Sequence, residues 1–289
     1  MSKIIYIMGT GRSGTTILDV IISNNTGIIG AGEVTHMINS EILSSEICAC
    51  GKHVTQCDAW GKVCEEFTLE ELKDSKALVR SIEAHSSFFL VALNLIDKRK
   101  LARYKEINER LFKSICNGRA EIIVDSSKYA ARALLLAKLF PERVQVVSLT
   151  RSAEGIINAF RKEDMEQPSK TLVATFLYYI YALTCFFICR IILKNKVIEI
   201  QYEKLAADPV SSIYQIEKAS GISLRESIEL LDNDDYLLSS HIVVGNRLRK
   251  KEKIKFSKSN KQDTLQGMGM FFAFFMNGYR FIMGFNKRR

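Results

Sequence analysis

Apolar and polar positions along the chain alternate between two rhythms. Short apolar runs, mostly rich in Ile and Val, at residues 4–8, 28–33, 121–124, 144–149 and 197–200, read as strands. Between them, residues 17–22 carry apolar positions that suit a helix, and residues 130–139 read as a helix stopped by Pro141. Thr68-Leu69-Glu70-Glu71 is a capping box, so a helix starts there and helical character continues to Asn117. Asp208 and Pro209 suit the N-cap and first turn of a helix for which Gly221 is the stop. This order predicts an α/β fold, a parallel β-sheet flanked by helices. No Pro/Gly/Ser-rich linker divides the 289 residues, which predicts a single domain over 1–289. Within it, residues 65–118 form a helical insert, read either as a lid or side wall over a site or as a solvated helical pair.

Two apolar stretches modify this picture. Residues 171–189 lack any charge and are long enough to span a bilayer. They lie between two strands assigned to one sheet, and a crossing would put those strands on opposite sides of the membrane. The stretch is therefore expected to be a buried helix, with one face free to meet lipid. Residues 268–289 form an apolar and basic tail, rich in Phe and Met and ending in Lys287-Arg288-Arg289, which suits an interfacial segment with peripheral membrane contact. Packing of this tail on the core or on a second subunit is the competing expectation, so an oligomer stays open. The net charge of +9 is spread along the chain without an array of aromatics and arginines, which argues against nucleic acid and for anion binding. Seven cysteines, an odd number, and a strand starting by residue 4 suit a cytoplasmic protein, if need be at the inner face of the membrane.

The densest chemistry follows the first strand. Gly9-Thr10-Gly11-Arg12-Ser13-Gly14-Thr15-Thr16 combines turn-forming glycines with a helix N-terminus, whose N–H groups and dipole favour an anion. Arg12 adds a fixed charge, and Ser13, Thr15 and Thr16 add hydroxyls. The Gly9-x-x-x-x-Gly14 spacing matches a P-loop, but Thr15 replaces the lysine that grips β- and γ-phosphates, so a different anion is expected. The far end of the second strand delivers Glu33, with His36 just past it, where ligands of parallel sheets collect. Glu33 reads equally as a site carboxylate and as a helix N-terminal one. The third strand ends in Asp125-Ser126-Ser127-Lys128. Ser126 or Ser127 can cap the next helix, at whose positive end Lys128 calls for an anionic partner.

Gly-Arg-Ser-Gly-Thr-Thr after a first strand resembles the 5′-phosphosulfate loop of sulfotransferases that use 3′-phosphoadenosine 5′-phosphosulfate (PAPS). Further cues fall in that family's order. Val124-Asp125-Ser126-Ser127-Lys128 resembles the segment offering a catalytic lysine. Leu149-Thr150-Arg151 resembles the start of the 3′-phosphate motif, although Ala159 stands where its serine belongs and Ser152 where its acidic residue belongs. Ser152 or Asn158 is then the substitute. Gly245-Asn246-Arg247, with Arg249 beyond, resembles the loop that closes over the nucleotide, and the stretch from Tyr202 to Pro209 resembles another family segment. The resemblance implies a P-loop-like sulfotransferase fold and in-line transfer of a sulfuryl group from PAPS to an acceptor hydroxyl of a saccharide, lipid, small metabolite or tyrosine. It assigns Gly11, Arg12, Ser13, Gly14, Thr15, Thr16, Arg151, Asn158, Tyr202, Gly245, Asn246 and Arg247 to the nucleotide. It makes Glu33 the base, with His36 its rival, and Lys128 and Arg12 the catalytic cations.

Cys48-Ala49-Cys50-Gly51, with Cys57, Trp60 and Cys64, forms a cysteine-rich knot that also resembles a segment of bacterial members. Cys-x-Cys lacks the usual zinc spacing and His53 is the nearest imidazole, so a disulfide is favoured over zinc and no metal is expected. A P-loop nucleotide kinase and a catalytically idle, membrane-surface nucleotide-binding protein are the alternatives.

Overall fold

Burial on both faces is what the first apolar run requires, and β1 (Lys3–Gly9) obtains it at the centre of a sheet, with Ile4 to Met8 all fully buried. The structure, a computed structural model, describes residues 2–38, 43, 45–162, 169–244, 248, 251–259 and 263–285. Four parallel strands join β1: β2 (Ile28–Gly30), β3 (Ile122–Lys128), β4 (Val144–Thr150) and β5 (Val197–Gln201), in the order β2-β3-β1-β4-β5. Ile4, Tyr6 and Met8 face one apolar layer, while Ile5 and Ile7 face another built around Leu18, Ile21, Ile213 and Ile216. The chain leaves β1 towards β2 and leaves β4 towards β5 on the other side, so a crevice opens beyond the carboxyl ends of β1 and β4.

The helices follow in chain order. After β1 comes α1 (Thr15–Ser23), and after β2 come α2 (Val34–Met37), α3 (Gly61–Glu66), α4 (Leu69–Glu83), α5 (Phe88–Ala92) and α6 (Lys98–Cys116). After β3 comes α7 (Ala130–Leu139), and after β4 come α8 (Ala153–Arg161) and α9 (Leu172–Leu193). Beyond β5 lie α10 (Tyr202–Ala207), α11 (Pro209–Ser220) and α12 (Arg225–Asp232). An antiparallel hairpin, β6 (Tyr236–Leu238) with β7 (Lys253–Lys255), and α13 (Met268–Ile282) complete the chain.

Local signals explain several ends. Thr68 and Glu71 exchange both bonds of the capping box at α4. The Asp208 side chain accepts from Ser211 N–H at α11, and Gly221 closes that helix at φ +65°. Neither Ser126 nor Ser127 caps α7, whose N-cap is Tyr129 without a side-chain bond. The Ser126 hydroxyl donates instead to Asp19 at 2.7 Å and that of Ser127 to Asp125 at 2.5 Å. The helices before β3 are anchored to the sheet by charge. Arg132 of α7, fully buried, donates to Glu83 of α4 at 2.6 Å and to Asp125 of β3 at 2.8 Å, and Tyr104 of α6 donates to Glu83 at 2.5 Å. Burial raises the Tyr104 hydroxyl pKa, with the Glu83 charge adding to it.

Residues 172–196 hold the one helix, among the described residues, long and apolar enough to cross a membrane. Its neighbours β4 and β5 pair in parallel within one sheet, so α9 serves as a crossover helix. Thr175, Tyr179, Leu183, Phe186 and Cys189 bury one face, while Val173, Leu177 and Ile191 are exposed. Packed beside it, α13 buries Gly269, Ala273, Met276 and Arg280 and exposes Phe271, Phe274, Phe281 and Ile282.

Candidate active site

Backbone geometry at the end of β1 is dictated by close approach. Gly14 sits at φ +95°, and a Cβ there would stand 2.5 Å from the Tyr202 ring. Arg12 is also left-handed, at φ +67°, and its carbonyl accepts from Arg151 Nη1 at 2.9 Å. The Ser13 N–H and hydroxyl both donate to the Thr10 carbonyl, so this hydroxyl, read from sequence as an anion donor, turns inward. Thr15 and Thr16 are buried in the first turn of α1. The Gly11 N–H donates to the Tyr178 hydroxyl of α9 at 2.8 Å. Cavities open on both sides of the loop.

The smaller, about 300 Å³, is lined by Gly9, Gly11, Glu33, His36, Lys128 and Tyr178, with His85, Tyr129 and Lys170 at its wall. Glu33 closes the turn after β2 as the N-cap of α2, but its side chain makes no capping bond. One carboxylate oxygen meets the Lys128 ammonium, and the other lies 3.3 Å from His36 Nε2. Lys128 reaches it because β3 carries a register shift against β1 between Tyr6 and Met8, after which Lys128 stands at φ +77°. Asp19 of α1 ties the two strand ends together. It is fully buried and accepts from Gly32 N–H at 3.1 Å, Ser126 at 2.7 Å and Ser240 at 3.1 Å. Burial pushes its pKa up to about 7 despite these bonds. Burial also lowers the pKa of His85 and of Lys170, whose ammonium lies 4.1 Å from the Tyr178 ring centre.

The larger cavity, about 1090 Å³, is lined by Arg12, Gly14, Arg151, Asn158, Tyr202 and Asp263 among others. Arg151 stacks on the Tyr202 ring, with its guanidinium carbon 4.4 Å from the ring centre. Its Nη2 lies 3.4 Å from Asp263 Oδ2, and its buried Nε has no hydrogen-bond partner among the described residues. Asn158 donates to Asp263 Oδ1 at 3.2 Å. Ser152 is spent as the N-cap of α8, accepting from Gly155 N–H, which leaves Asn158 as the polar side chain that α8 itself brings to this wall. Ala159 lines it too, and Gly245, Asn246, Arg247 and Arg249 lie outside the described residues.

Sequence reasoning missed Asp19, Tyr178 and Asp263, each apolar-flanked or remote from the loop and carrying no local signature. It also missed His241, whose Nδ1 lies 3.2 Å from Cys57 Sγ. Cys48, Cys50, Cys57 and Cys64 all carry free thiols, which departs from the expected disulfide.

The site thus sets a glycine-rich loop at the end of a central parallel strand, with a cation–carboxylate pair on one side and an arginine pocket on the other. The sequence profile described as "Sulfotransferase family" matches residues 5–226, and the chain belongs to that family. No curated protein matches it significantly. Among solved structures, the chain is similar to the sulfotransferase domain from the curacin biosynthetic pathway, at 13% identity, 96% coverage of this chain, 97% of that chain and TM-score 0.52. It is also similar to sulfotransferase STF9 from Mycobacterium avium, at 10% identity, 83% and 71% coverage and TM-score 0.47. The first of these likenesses concerns the fold.

Proposed function

We propose that the protein transfers a sulfuryl group from PAPS to an acceptor hydroxyl, with the nucleotide in the larger cavity and the acceptor in the smaller one. The observation that carries this reading is the meeting of Glu33 and Lys128, from the ends of two strands, beside the anion loop. The loop N–H groups and Arg12 hold the 5′-phosphate, and Arg151 with Asn158 holds the 3′-phosphate in place of Asp263. Lys128 leaves Glu33 for the donor, where it neutralises charge growing on the bridging oxygen. Glu33, relieved of the lysine, takes the acceptor's proton as the acceptor oxygen bonds to sulfur. The sulfur–oxygen bond to the phosphate breaks in line, its electron pair stays on the phosphate oxygen, and adenosine 3′,5′-bisphosphate leaves. Positioning and charge supply most of the effect, as in phosphoryl transfer.

Asp125, the acidic strand end that a kinase would use for Mg²⁺, is fully buried against Arg132 and faces neither cavity. The test is calorimetry without divalent cations, comparing adenosine 3′,5′-bisphosphate with adenosine 5′-monophosphate and with ATP–Mg²⁺. Preference for the bisphosphate is expected. It should largely vanish in Arg151→Ala, because losing one charge-assisted contact costs about 1.5–3 kcal/mol. Equal affinity for the mono- and bisphosphate in the intact protein overturns the donor assignment; where the bisphosphate is preferred, mass spectrometry of cell extract with labelled PAPS identifies the acceptor.

A further inference from the structure

Away from both cavities, three thiols and an imidazole from distant parts of the chain converge. The ligating atoms of Cys48, Cys50, Cys57 and His241 all lie within 4.8 Å of one another. Cys57 Sγ is 3.5 Å from Cys48 Sγ, 3.8 Å from Cys50 Sγ and 3.2 Å from His241 Nδ1, and Cys48 Sγ is 3.9 Å from that nitrogen. Zinc–sulfur bonds of about 2.3 Å and zinc–nitrogen bonds of about 2.0 Å make a tetrahedron whose edges run roughly 3.5–3.8 Å. Four of the six donor–donor distances, 3.2–3.9 Å, already lie near that figure, and all six are within 4.8 Å. Disulfide sulfurs, by contrast, would be about 2.05 Å apart.

Bonds that need no metal hold the donors in place. Gly51 N–H donates to the Cys48 carbonyl at 2.9 Å in a turn made by Gly51 at φ +82°. The Ile47–His53 bridge closes that turn, and Ala49 N–H donates to the Ile242 carbonyl at 2.9 Å. Trp60, fully buried, donates from Nε1 to the His241 carbonyl at 2.8 Å, and His241 N–H donates to Gly30 of β2. Cys48 and Cys57 are each 2% exposed, and Cys64 stays outside the cluster.

We propose that Cys48, Cys50, Cys57 and His241 form a structural zinc site. Three thiolates and an imidazole nitrogen in tetrahedral array are the donor set that selects zinc, and four protein ligands close the site to substrate. The metal staples the loop after α2 to the segment after β6, 184 positions along the chain from Cys57. That segment bears on the catalytic turn. Ile242 packs over Gly32, where a Cβ would meet it at 3.3 Å, and the next residue is Glu33. The zinc knot thus buttresses the turn that delivers the carboxylate.

The test is the metal content of the full-length protein, purified under reducing, anaerobic conditions. About one zinc per chain is expected by plasma mass spectrometry. Cobalt replacing it should give the visible bands of a tetrahedral site and thiolate-to-cobalt charge transfer. His241→Ala should keep the charge transfer, alter the visible bands and weaken zinc binding by more than the ~10–100-fold that follows loss of a ligand's hydrogen-bond partner. Cys48→Ser with Cys57→Ser should abolish both signals, and if that variant does not fold, the wild-type zinc content and cobalt spectrum decide alone. Reduced wild-type protein that takes up neither metal overturns the proposal. So does a disulfide among Cys48, Cys50 and Cys57 in freshly isolated protein, or stoichiometric iron or copper in place of zinc.

Discussion

Asp263 occupies the ground that a 3′-phosphate would claim. Its two oxygens take one contact each from Arg151 and Asn158, so under the proposed donor assignment the protein's own carboxylate would compete with the nucleotide. The substitution Asp263→Asn removes that charge while keeping shape and a carbonyl acceptor. The 3.4 Å contact to Arg151 is long for a charge-assisted bond, and the two side chains are 18% and 35% exposed. Such a pair is worth about 1 kcal/mol at most, since solvent screens it. Its loss should therefore tighten adenosine 3′,5′-bisphosphate by no more than ~5-fold, because 1.4 kcal/mol is about tenfold. Adenosine 5′-monophosphate, lacking the competing group, should bind both proteins alike. Calorimetry of the two nucleotides on wild type and variant measures this directly. Weaker bisphosphate binding by Asp263→Asn would refute the reasoning, because the carboxylate would then be helping the nucleotide. Equal tightening of both nucleotides would place its effect elsewhere than at the 3′ position.

Three further predictions follow from the same geometry. Glu33→Gln should lower kcat by about 10²–10⁴-fold with bisphosphate affinity kept or slightly raised, since Lys128 is set free. His36→Asn should lose less, and the reverse order would make the histidine the base. Asp19 binds its proton more tightly when folded, at about 7 against a usual 3.8, so its neutral form stabilises the fold below pH 4 and that stability is lost as pH rises to 7. Denaturant unfolding should show wild type losing stability relative to Asp19→Asn over that window, on the order of 4 kcal/mol, and a pH-independent difference would show that Asp19 stays ionised. Phe274 and Phe281, 74% and 70% exposed on α13, should mediate salt-sensitive association with anionic vesicles. Phe274→Ser with Phe281→Ser should abolish it in flotation assays, and wild type that ignores such vesicles at low salt would leave this face to another role.

Whatever depends on neighbours in the chain was legible in advance. The five sheet strands were legible as short runs dense in Ile and Val. The run is unbroken in β1, which is buried on both faces, and interrupted by Glu199 in the half-buried edge strand β5. Clustered glycines after β1 marked the loop. The capping box at Thr68 and the Asp208–Pro209 start of α11 are likewise local, since their bonds span three residues. Glu33, Lys128 and Arg151 could be picked out one by one as strand-end residues. That Glu33 and Lys128 would pair was decided by the adjacency of β2 and β3 and by the bulge that turns Lys128 left-handed. The serine caps expected at α7 failed for the same reason, because the strand end is spent on Asp19 and Asp125. The three-residue strands of the β6–β7 hairpin are too short to show a period. Tyr178 on Gly11, Asp263 on Arg151 and His241 beside Cys57 meet across 167, 112 and 184 positions. No local pattern records such a meeting, because chain folding alone sets which distant polar groups share a buried space. Residue type thus dictated the elements and the loop, and packing dictated which charges, thiols and rings confront one another.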